Sequence, residues 1–193
     1  PDTSIDADSI KIPGSKAGFT FMPHQMGAHQ VLRKRPKYAI LDIEPGGGKT
    51  LIGLTDIMCC IAESSVPIKP IVLAPNRLVA NWCEDLAKVS DQWNVIPITM
   101  DALDDWGEDR LVELLSGAPR NTIYVVALGF TTGRKLRIEI GGVRVAISST
   151  CEFLGRFGFN YILMDESHKA KNLSSGVHQR VKQVFSMPNI EFA

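Results

Sequence analysis

The stretch Ile43-Glu44-Pro45-Gly46-Gly47-Gly48-Lys49-Thr50 decides the fold, because it joins a strand-like run to a helix-like run through three consecutive glycines. Before it stands YAILDI (38–43), which is rich in β-forming residues, and after it residues 50–62 have the apolar pattern of a helix. Glycines let backbone N–H groups approach phosphate oxygens, and the positive end of the following helix adds to the attraction. This context predicts a phosphate-binding loop rather than a glycine-rich turn followed by a chance Lys-Thr pair.

Each residue of the loop has a predicted task. The backbone of Gly46, Gly47 and Gly48 surrounds the phosphates, and Lys49 reaches the β- and γ-phosphates as a mobile cation. The Thr50 hydroxyl is a predicted Mg²⁺ ligand, so ATP and Mg²⁺ are the expected ligands of the loop. The stretch departs from the general G-x-x-x-x-G-K-T pattern, because Ile43 stands where the first glycine is expected.

Strand-like and helix-like segments alternate along the rest of the chain. Helices are predicted over residues 23–35 and, as an amphipathic stretch, 77–89. The later predicted strands are IVLAP (71–75), VIPIT (95–99), TIYVVAL (122–128) and YILMDE (161–166). Continuous apolar strands separated by helices predict an α/β fold, a three-layer P-loop domain with a mostly parallel sheet.

Three segments stand apart from this alternation. KLRIEI and VRVAIS alternate around Gly141-Gly142, which predicts a β-hairpin inserted before YILMDE. Residues 101–113 are rich in acidic side chains and are predicted to form a solvated loop and helix face. Residues 1–20 are predicted to be a lead-in in which Ile10-Lys11-Ile12 pairs as an edge strand, and residues 21–193 form the domain itself.

An acidic pair follows the last predicted strand, where YILMDESH places Asp165 and Glu166. The carboxyl ends of neighbouring parallel strands converge on the phosphate loop in such sheets. Asp165 is therefore a predicted Mg²⁺ ligand, and Glu166 is predicted to orient and deprotonate the attacking water. A polar loop after a strand is common, so the pair is informative only together with the phosphate loop.

Composition limits the possible functions. Lys plus Arg and Asp plus Glu both number 21, so the net charge is zero and nucleic acid contact requires a local patch. Cys59, Cys60, Cys83 and Cys151 lack zinc or disulfide spacing, which favours reduced thiols in an intracellular protein. No apolar run has the length of a membrane span, so no membrane partner is expected.

The motifs together resemble the first RecA-like domain of superfamily 2 helicases, and within them the Swi/Snf-type translocases. LDIEPGGGKT resembles motif I of that family, with Pro45 and Gly47 in place of the usual larger apolar residues. DESHKAKN (165–172) resembles the DExH box, and its Lys171-Asn172 tail is the feature that favours the Swi/Snf type.

The resemblance implies roles for further residues. FMPHQ resembles the entry motif in which a glutamine, here Gln25, reads the adenine edge. His168 is implied to couple the nucleotide state to a second domain, and it is counted with Lys49, Asp165 and Glu166 as catalytic. IVLAPNRLVANW resembles motif Ia, which implies nucleic acid contacts by Pro75, Asn76 and Arg77. A strand followed by Pro-Asn is also an ordinary helix start, and that alternative stays open.

The function implied by the resemblance is ATP hydrolysis coupled to movement on double-stranded DNA. The resemblance implies that the second RecA-like domain, which supplies arginine fingers in the family, is not expected within residues 1–193. An arginine finger is worth on the order of 10³–10⁵ in rate, so residues 1–193 are expected to bind nucleotide but to turn it over poorly.

Two alternatives stay open. One is a strand-separating helicase or a restriction-type translocase, which shares the same chemistry. The other is a nucleotide-binding module for protein interaction without motor activity, which the zero net charge permits. A transporter ATPase is disfavoured, because residues 113–118 lack the second glycine of the transporter signature.

Overall fold

The computed structural model describes residues 11–34, 39–127, 136–166, 176–188 and 190. Helices and strands alternate through most of this part of the chain, as the sequence predicts. In chain order the elements are α1 (Pro23–Arg33), α2 (Lys49–Glu63), β1 (Pro70–Ala74), a short 3₁₀ turn (Asn76–Leu78), α3 (Val79–Val89), β2 (Asn94–Ile98), α4 (Met100–Gly117), β3 (Thr122–Ala127), β4 (Leu136–Ile140), β5 (Val143–Ile147), α5 (Thr150–Arg156), β6 (Tyr161–Met164) and α6 (Gly176–Phe185).

The main sheet has four parallel strands in the order β2-β3-β1-β6. Strands β1 and β3 are buried along their whole length, as expected for parallel strands that are covered on both faces. Leu73 of β1 pairs with Met164 of β6, so these two strands leave the sheet side by side at their carboxyl ends. The α/β fold with a mostly parallel sheet is therefore confirmed.

Helix α2 is the most deeply buried helix near the sheet. Its residues from Ile52 to Ile61 are all buried, and it contacts both α1 and α3. A helix that is apolar on nearly all sides needs cover on nearly all sides, which explains why it lies between its neighbours and the sheet. This burial fixes the direction of its first turn, where the phosphate loop ends.

The predicted hairpin is also confirmed. Strands β4 and β5 pair antiparallel, with Ile140 opposite Val143 across a two-residue turn. Gly141 and Gly142 have φ values of +59° and +81°, and two successive positive φ values fit the primed turns that suit two-residue hairpins.

Two sequence predictions of strands are wrong. YAILDI was predicted as a strand, but residues 39–43 form no ladder and Ile40 is 87% exposed; Tyr38 lies outside the described residues. Strand β6 pairs only with β1, so within the described part of the chain no strand lies beside this segment to accept its backbone hydrogen bonds. Apolar β-forming residues favour a strand only when a partner strand is present.

The lead-in also differs from its predicted edge strand. Residues 11–20 form turns and coil, and residue 10 lies outside the described part. The segment is held to the domain by other contacts, because Ile12 is buried and the Trp93 indole N–H donates to the Pro13 carbonyl at 3.0 Å. A buried apolar side chain and side-chain hydrogen bonds thus replace strand pairing.

The acid-rich stretch 101–113 lies on α4, which is interrupted at Gly107 by a left-handed φ of +75°. Its apolar side chains Leu103 and Leu111 are buried, while most of the acidic ones face solvent, as predicted. None of the described helices combines the length and the apolar character needed to cross a bilayer.

Candidate active site

The phosphate loop ends where α2 begins, at Lys49, with Gly48 as the residue before the first turn. Gly48 has a left-handed φ of +80°, and its carbonyl accepts the first helical hydrogen bond, from the Ile52 N–H at 3.0 Å. The Gly47 N–H closes a tight turn onto the Glu44 carbonyl at 3.0 Å. The loop therefore turns directly into the amino end of a helix, which is the arrangement that attracts anions.

The glycines at the end of the loop are required by close neighbours. A Cβ at position 47 would lie 2.3 Å from Cγ2 of Ile43, and one at position 48 would lie 2.2 Å from Nε2 of Gln25. Contacts this short require a neighbour to shift, so a larger residue fits at either position only if the Ile43 or Gln25 side chain moves. The substitution of a usual larger residue by Gly47 therefore agrees with the local packing against Ile43.

The Lys49 ammonium lies inside the loop rather than on the surface. Nζ donates to the Ile43 carbonyl at 2.6 Å and to the Glu44 carbonyl at 3.1 Å. Two neutral carbonyls do not neutralise the charge, so the ammonium remains available to an anion that enters the loop. Lysine is suited to this task because its cation moves on a flexible stem.

The first turn of α1 is attached to the phosphate loop. Gln25 is only 7% exposed, and its Oε1 accepts the Met22 N–H at 3.1 Å, while its Nε2 lies against Gly48. His24 Nε2 lies 3.2 Å from the Gly47 carbonyl. The structure thus brings Gln25 beside the loop, at a position adjacent to any nucleotide bound there; its contact with adenine stays a prediction.

Asp165 is held by three hydrogen bonds at the carboxyl end of β6. Its N–H donates to the Leu73 carbonyl at 2.9 Å, which extends the pairing of β6 with β1. Its Oδ2 accepts the Trp82 indole N–H at 2.9 Å, and its Oδ1 accepts the Glu166 N–H at 2.7 Å. These contacts fix the direction of the carboxylate.

Glu166 has an unusual backbone. Its φ of +50° is the only positive φ of a non-glycine residue among the described residues. This conformation costs roughly 1–2 kcal/mol for an L-residue, so the surrounding contacts must hold it. The carboxylate is 19% exposed, and its Oε1 accepts a hydrogen bond from Arg77 Nη2 at 2.8 Å.

Packing connects the loop helix to the acidic turn. A Cβ at Gly53, one turn after Thr50, would lie 2.5 Å from Leu163 Cδ1 and 3.5 Å from Trp82 Cη2. The helix that begins at the loop therefore lies directly on β6 and on the indole that holds Asp165.

Two contacts of the site were not foreseen from the sequence. The amphipathic pattern of residues 77–89 predicts only that Trp82 packs, and it is indeed buried, but its indole also holds Asp165. A buried indole N–H needs an acceptor, and that requirement was the available signal. Arg77 was assigned to nucleic acid only, and nothing in the sequence indicated its ion pair with Glu166, which lies 89 residues away.

The other predicted site residues divide into two groups. Asn76 and Arg77 are exposed in the 3₁₀ turn and Pro75 is partly exposed before it, at the same sheet edge as Glu166. His168 and the Lys171-Asn172 tail lie outside the described residues.

A buried polar network lies behind the loop, between α1, α2 and β6. Asp56 is 1% exposed, accepts a hydrogen bond from the Tyr161 hydroxyl and lies 3.5 Å from Arg33 Nη1. His29 is also 1% exposed, and burial lowers its pKa, an effect that the nearby Asp56 carboxylate opposes. These groups join the helix that carries Gln25 to the helix that begins at the loop.

The cysteines do not resemble reactive thiols. Burial raises the pKa of Cys59 to about 12 and also raises the pKa values of Cys83 and Cys151. A thiol with a raised pKa is seldom a thiolate at neutral pH, so these residues are structural.

Comparisons with known proteins agree with this fold. A sequence model described as "SNF2-related domain" matches residues 24–189. The chain is also similar to a solved structure of the Sulfolobus solfataricus SWI2/SNF2 ATPase core in complex with dsDNA, with a TM-score of 0.58 and 17% sequence identity. That similarity covers 91% of this chain and 31% of the solved chain, so this chain spans about a third of the length of the solved chain. No curated protein sequence matches the chain.

Proposed function

The chain belongs to the SNF2-related domain family, and on that premise we propose that it is the ATP-binding half of a Swi/Snf-type motor that hydrolyses ATP to move on double-stranded DNA. The observation that carries the proposal is the packing of the helix that begins at the phosphate loop against the strand that ends at Asp165-Glu166. Gly53 of α2 lies against Leu163 and against the Trp82 indole that holds Asp165.

ATP binding rests on the loop. The backbone N–H groups at the amino end of α2 and the Lys49 ammonium supply positive charge for the β- and γ-phosphates. Gln25 lies beside Gly48, from which its amide can hydrogen-bond the edge of the adenine. An amide is both a donor and an acceptor, and so is the edge of adenine that carries its amino group.

The donors near the loop fit Mg²⁺. This ion prefers oxygen ligands, keeps several waters, and is usually bound by one or two protein groups together with substrate phosphates. The Thr50 hydroxyl and the Asp165 carboxylate would hold it, and Asp165 is already oriented by the Trp82 N–H. Bound Mg²⁺ would neutralise charge on the phosphates.

Hydrolysis uses Glu166 as the base. The oxygen of a water attacks the γ-phosphorus, the bond from that phosphorus to the β–γ bridging oxygen breaks, and ADP leaves with the electron pair. Glu166 accepts the proton of the attacking water, which leaves inorganic phosphate as the second product. The strained backbone of Glu166 supports such a role, because sparsely populated conformations concentrate at functional sites.

Movement on DNA involves a second domain and a local DNA contact. The solved relative that contains double-stranded DNA is about three times as long as the matched region, which leaves room for a second RecA-like domain in the full-length protein. Because the net charge is zero, the surface as a whole does not attract DNA. DNA would therefore bind at a local patch, and the candidate contacts are Pro75, Asn76 and Arg77. His168 is proposed to report the nucleotide state to that second domain.

The test is the variant Glu166→Gln in the full-length protein. The amide cannot accept the proton of the water, so we expect ATP to bind with near wild-type affinity while turnover falls by at least about 10²-fold. Glu113→Gln is the matched control, because Glu113 is an exposed glutamate that also pairs with an arginine. Steady-state hydrolysis by Glu166→Gln within a few-fold of wild type would remove Glu166 from this role.

A further inference from the structure

Arg77 lies among the candidate nucleic acid contacts and also pairs with the proposed base Glu166. It lies in the turn after β1, and its Nη2 donates to Oε1 of Glu166 at 2.8 Å. The contact is possible because β1 and β6 are adjacent parallel strands whose carboxyl ends leave the sheet together. One cation is thus within reach of both the hydrolytic carboxylate and the surface.

The two partners differ strongly in exposure. The Arg77 side chain is 71% exposed, whereas that of Glu166 is 19% exposed. A guanidinium carries five N–H donors, so Arg77 can meet an anion from solvent on the side that faces away from Glu166. Arginine binds phosphate with two parallel hydrogen bonds, which a phosphate of a nucleic acid backbone would offer.

Hydrogen bonds hold the backbone below the pair. Glu166 keeps its φ of +50° through the hydrogen bond of its N–H to Asp165, and Asp165 is itself held by Leu73 and Trp82. Exchange of the guanidinium would therefore rotate the Glu166 side chain without moving the turn. An ion pair with one exposed partner is weak in water, so a phosphate can compete with it.

We propose that Arg77 is a positioning residue that occupies Glu166 Oε1 in the absence of nucleic acid and exchanges it for a backbone phosphate when nucleic acid binds. The exchange frees Oε1 to accept the proton of the attacking water, so binding of nucleic acid increases hydrolysis. This inference rests on the proposed function, because it concerns the same carboxylate. It adds a direct link between the nucleic acid surface and the base.

The test is steady-state ATP hydrolysis by the full-length protein, with and without double-stranded DNA, for wild type, Arg77→Gln, Arg77→Lys and the control Arg110→Gln. Arg110 is an exposed arginine that pairs with Glu113 at 2.7 Å on α4, away from the site. We expect Arg77→Gln to raise the DNA-free kcat by about two- to five-fold and to leave the KM for ATP unchanged. The rise is this small because an exposed ion pair is weak. The stimulation by DNA should shrink by a similar factor.

Salt gives a second readout that a purely structural role would not affect. Added monovalent salt screens an exposed ion pair, so the DNA-free kcat of wild type should rise with salt relative to that of Arg77→Gln. Arg77→Lys keeps the charge but changes the reach and direction of the donor that meets Glu166 Oε1, so its DNA-free kcat should fall between those of wild type and Arg77→Gln. Arg110→Gln should behave as wild type throughout.

Two outcomes would overturn the inference alone. If Arg77→Gln lowers the DNA-free kcat, Arg77 holds Glu166 in a productive position. If it changes only the affinity for DNA, Arg77 is a phosphate contact without coupling. Both outcomes leave the proposed function standing as long as wild type hydrolyses ATP and Lys49→Ala does not. Absence of hydrolysis in wild type would overturn the proposed function and this inference together.

Discussion

At the scale of single residues, the site depends on a few side chains whose neighbours fix their directions. Asp165 is oriented by the Trp82 indole on one oxygen and by its own neighbour's N–H on the other. Lys49 is held by two carbonyls of the loop. Such preorganisation matters because a bound phosphate then meets groups that need little rearrangement.

The Trp82 indole is predicted to contribute both stability and affinity. Trp82→Phe keeps a buried aromatic ring but removes the N–H that binds Asp165 at 2.9 Å. Hydrogen bonds to charged groups contribute about 1.5–3 kcal/mol, so we expect the free energy of unfolding to fall by about that amount. Urea unfolding measures this change, and calorimetry should find weaker binding of ATP–Mg²⁺, because the Asp165 carboxylate loses its orientation.

Trp93→Phe is the matched control, because the Trp93 indole also donates a hydrogen bond, but to the neutral Pro13 carbonyl. Its loss should reduce stability by only about 0.5–1.5 kcal/mol and leave nucleotide affinity unchanged. If both variants changed ATP affinity equally, the indole of Trp82 would have no special link to the site.

At the scale of elements, the packing of α1 on α2 connects the nucleotide site to the interior. The first turn of α1 carries Gln25 to the loop, and further along the same helix Arg33 lies 3.5 Å from the buried Asp56 of α2, with His29 also buried on this helix. A buried charged group needs a partner, so Asp56 holds the two helices in one register. The contact of α1 with the loop thus depends on a network that does not touch the nucleotide site.

This network predicts a pH dependence of stability. Burial lowers the pKa of His29, with Asp56 and Glu63 opposing the effect and Arg33 adding to it. The unfolded chain therefore takes up a proton near pH 6.5 before the folded protein does. The free energy of unfolding therefore keeps the full contribution of neutral His29 above that pH. As the pH falls below it, the free energy of unfolding decreases by at most about 1.4 kcal/mol per pH unit.

The variant His29→Gln, which does not titrate, tests this dependence. Its free energy of unfolding should decline less than that of wild type between pH 7 and pH 5, as measured by urea unfolding at each pH. His24→Gln is the control, because His24 is exposed at the loop and its replacement should leave the slope unchanged. Parallel curves for wild type and His29→Gln would contradict the account of the buried histidine.

The sequence predicts an element correctly when the partners of its backbone hydrogen bonds are also present in the fold. Helix α2, strands β1 and β3 and the hairpin at Gly141-Gly142 carry local patterns that agree with their surroundings, and they were predicted correctly. The segment 38–43 has an equally good strand pattern, but a strand also needs a partner, and residues 39–43 have none in the described sheet. Local pattern contains no information on that partner.

The site also combines features that are local in the sequence with contacts between distant residues. The loop residues and the Asp165-Glu166 pair stand in short stretches of sequence, so the sequence alone is enough to propose them as a site. The contacts of Trp82 with Asp165 and of Arg77 with Glu166 were not predictable, because each joins residues more than 80 positions apart. Only the adjacency of β1 and β6 brings them together, and a single sequence does not reveal strand order.

At the scale of the whole molecule, the groups proposed to bind the nucleotide all belong to one RecA-like half of a motor. Its length is about a third of that of the solved SWI2/SNF2 relative. We therefore expect residues 1–193 to bind ATP–Mg²⁺ weakly and to hydrolyse it slowly without stimulation by DNA, and we expect a second domain to restore both properties. Binding of ATP–Mg²⁺ can be tested separately from motor activity, because the proposed binding groups all lie in the phosphate loop and next to it.

Calorimetric titration of residues 1–193 with ATP–Mg²⁺ tests the central claim most directly, when wild type is compared with Lys49→Ala and with Lys88→Ala. Lys88 is an exposed lysine on α3 that pairs with Asp85, so its removal changes the net charge equally without touching the loop. We predict that Lys49→Ala weakens binding by at least about tenfold, since one charge-assisted contact to phosphate contributes about 1.5–3 kcal/mol, while Lys88→Ala binds as wild type does. Equal affinities for wild type and Lys49→Ala would contradict the assignment of the phosphate loop and of the function built on it.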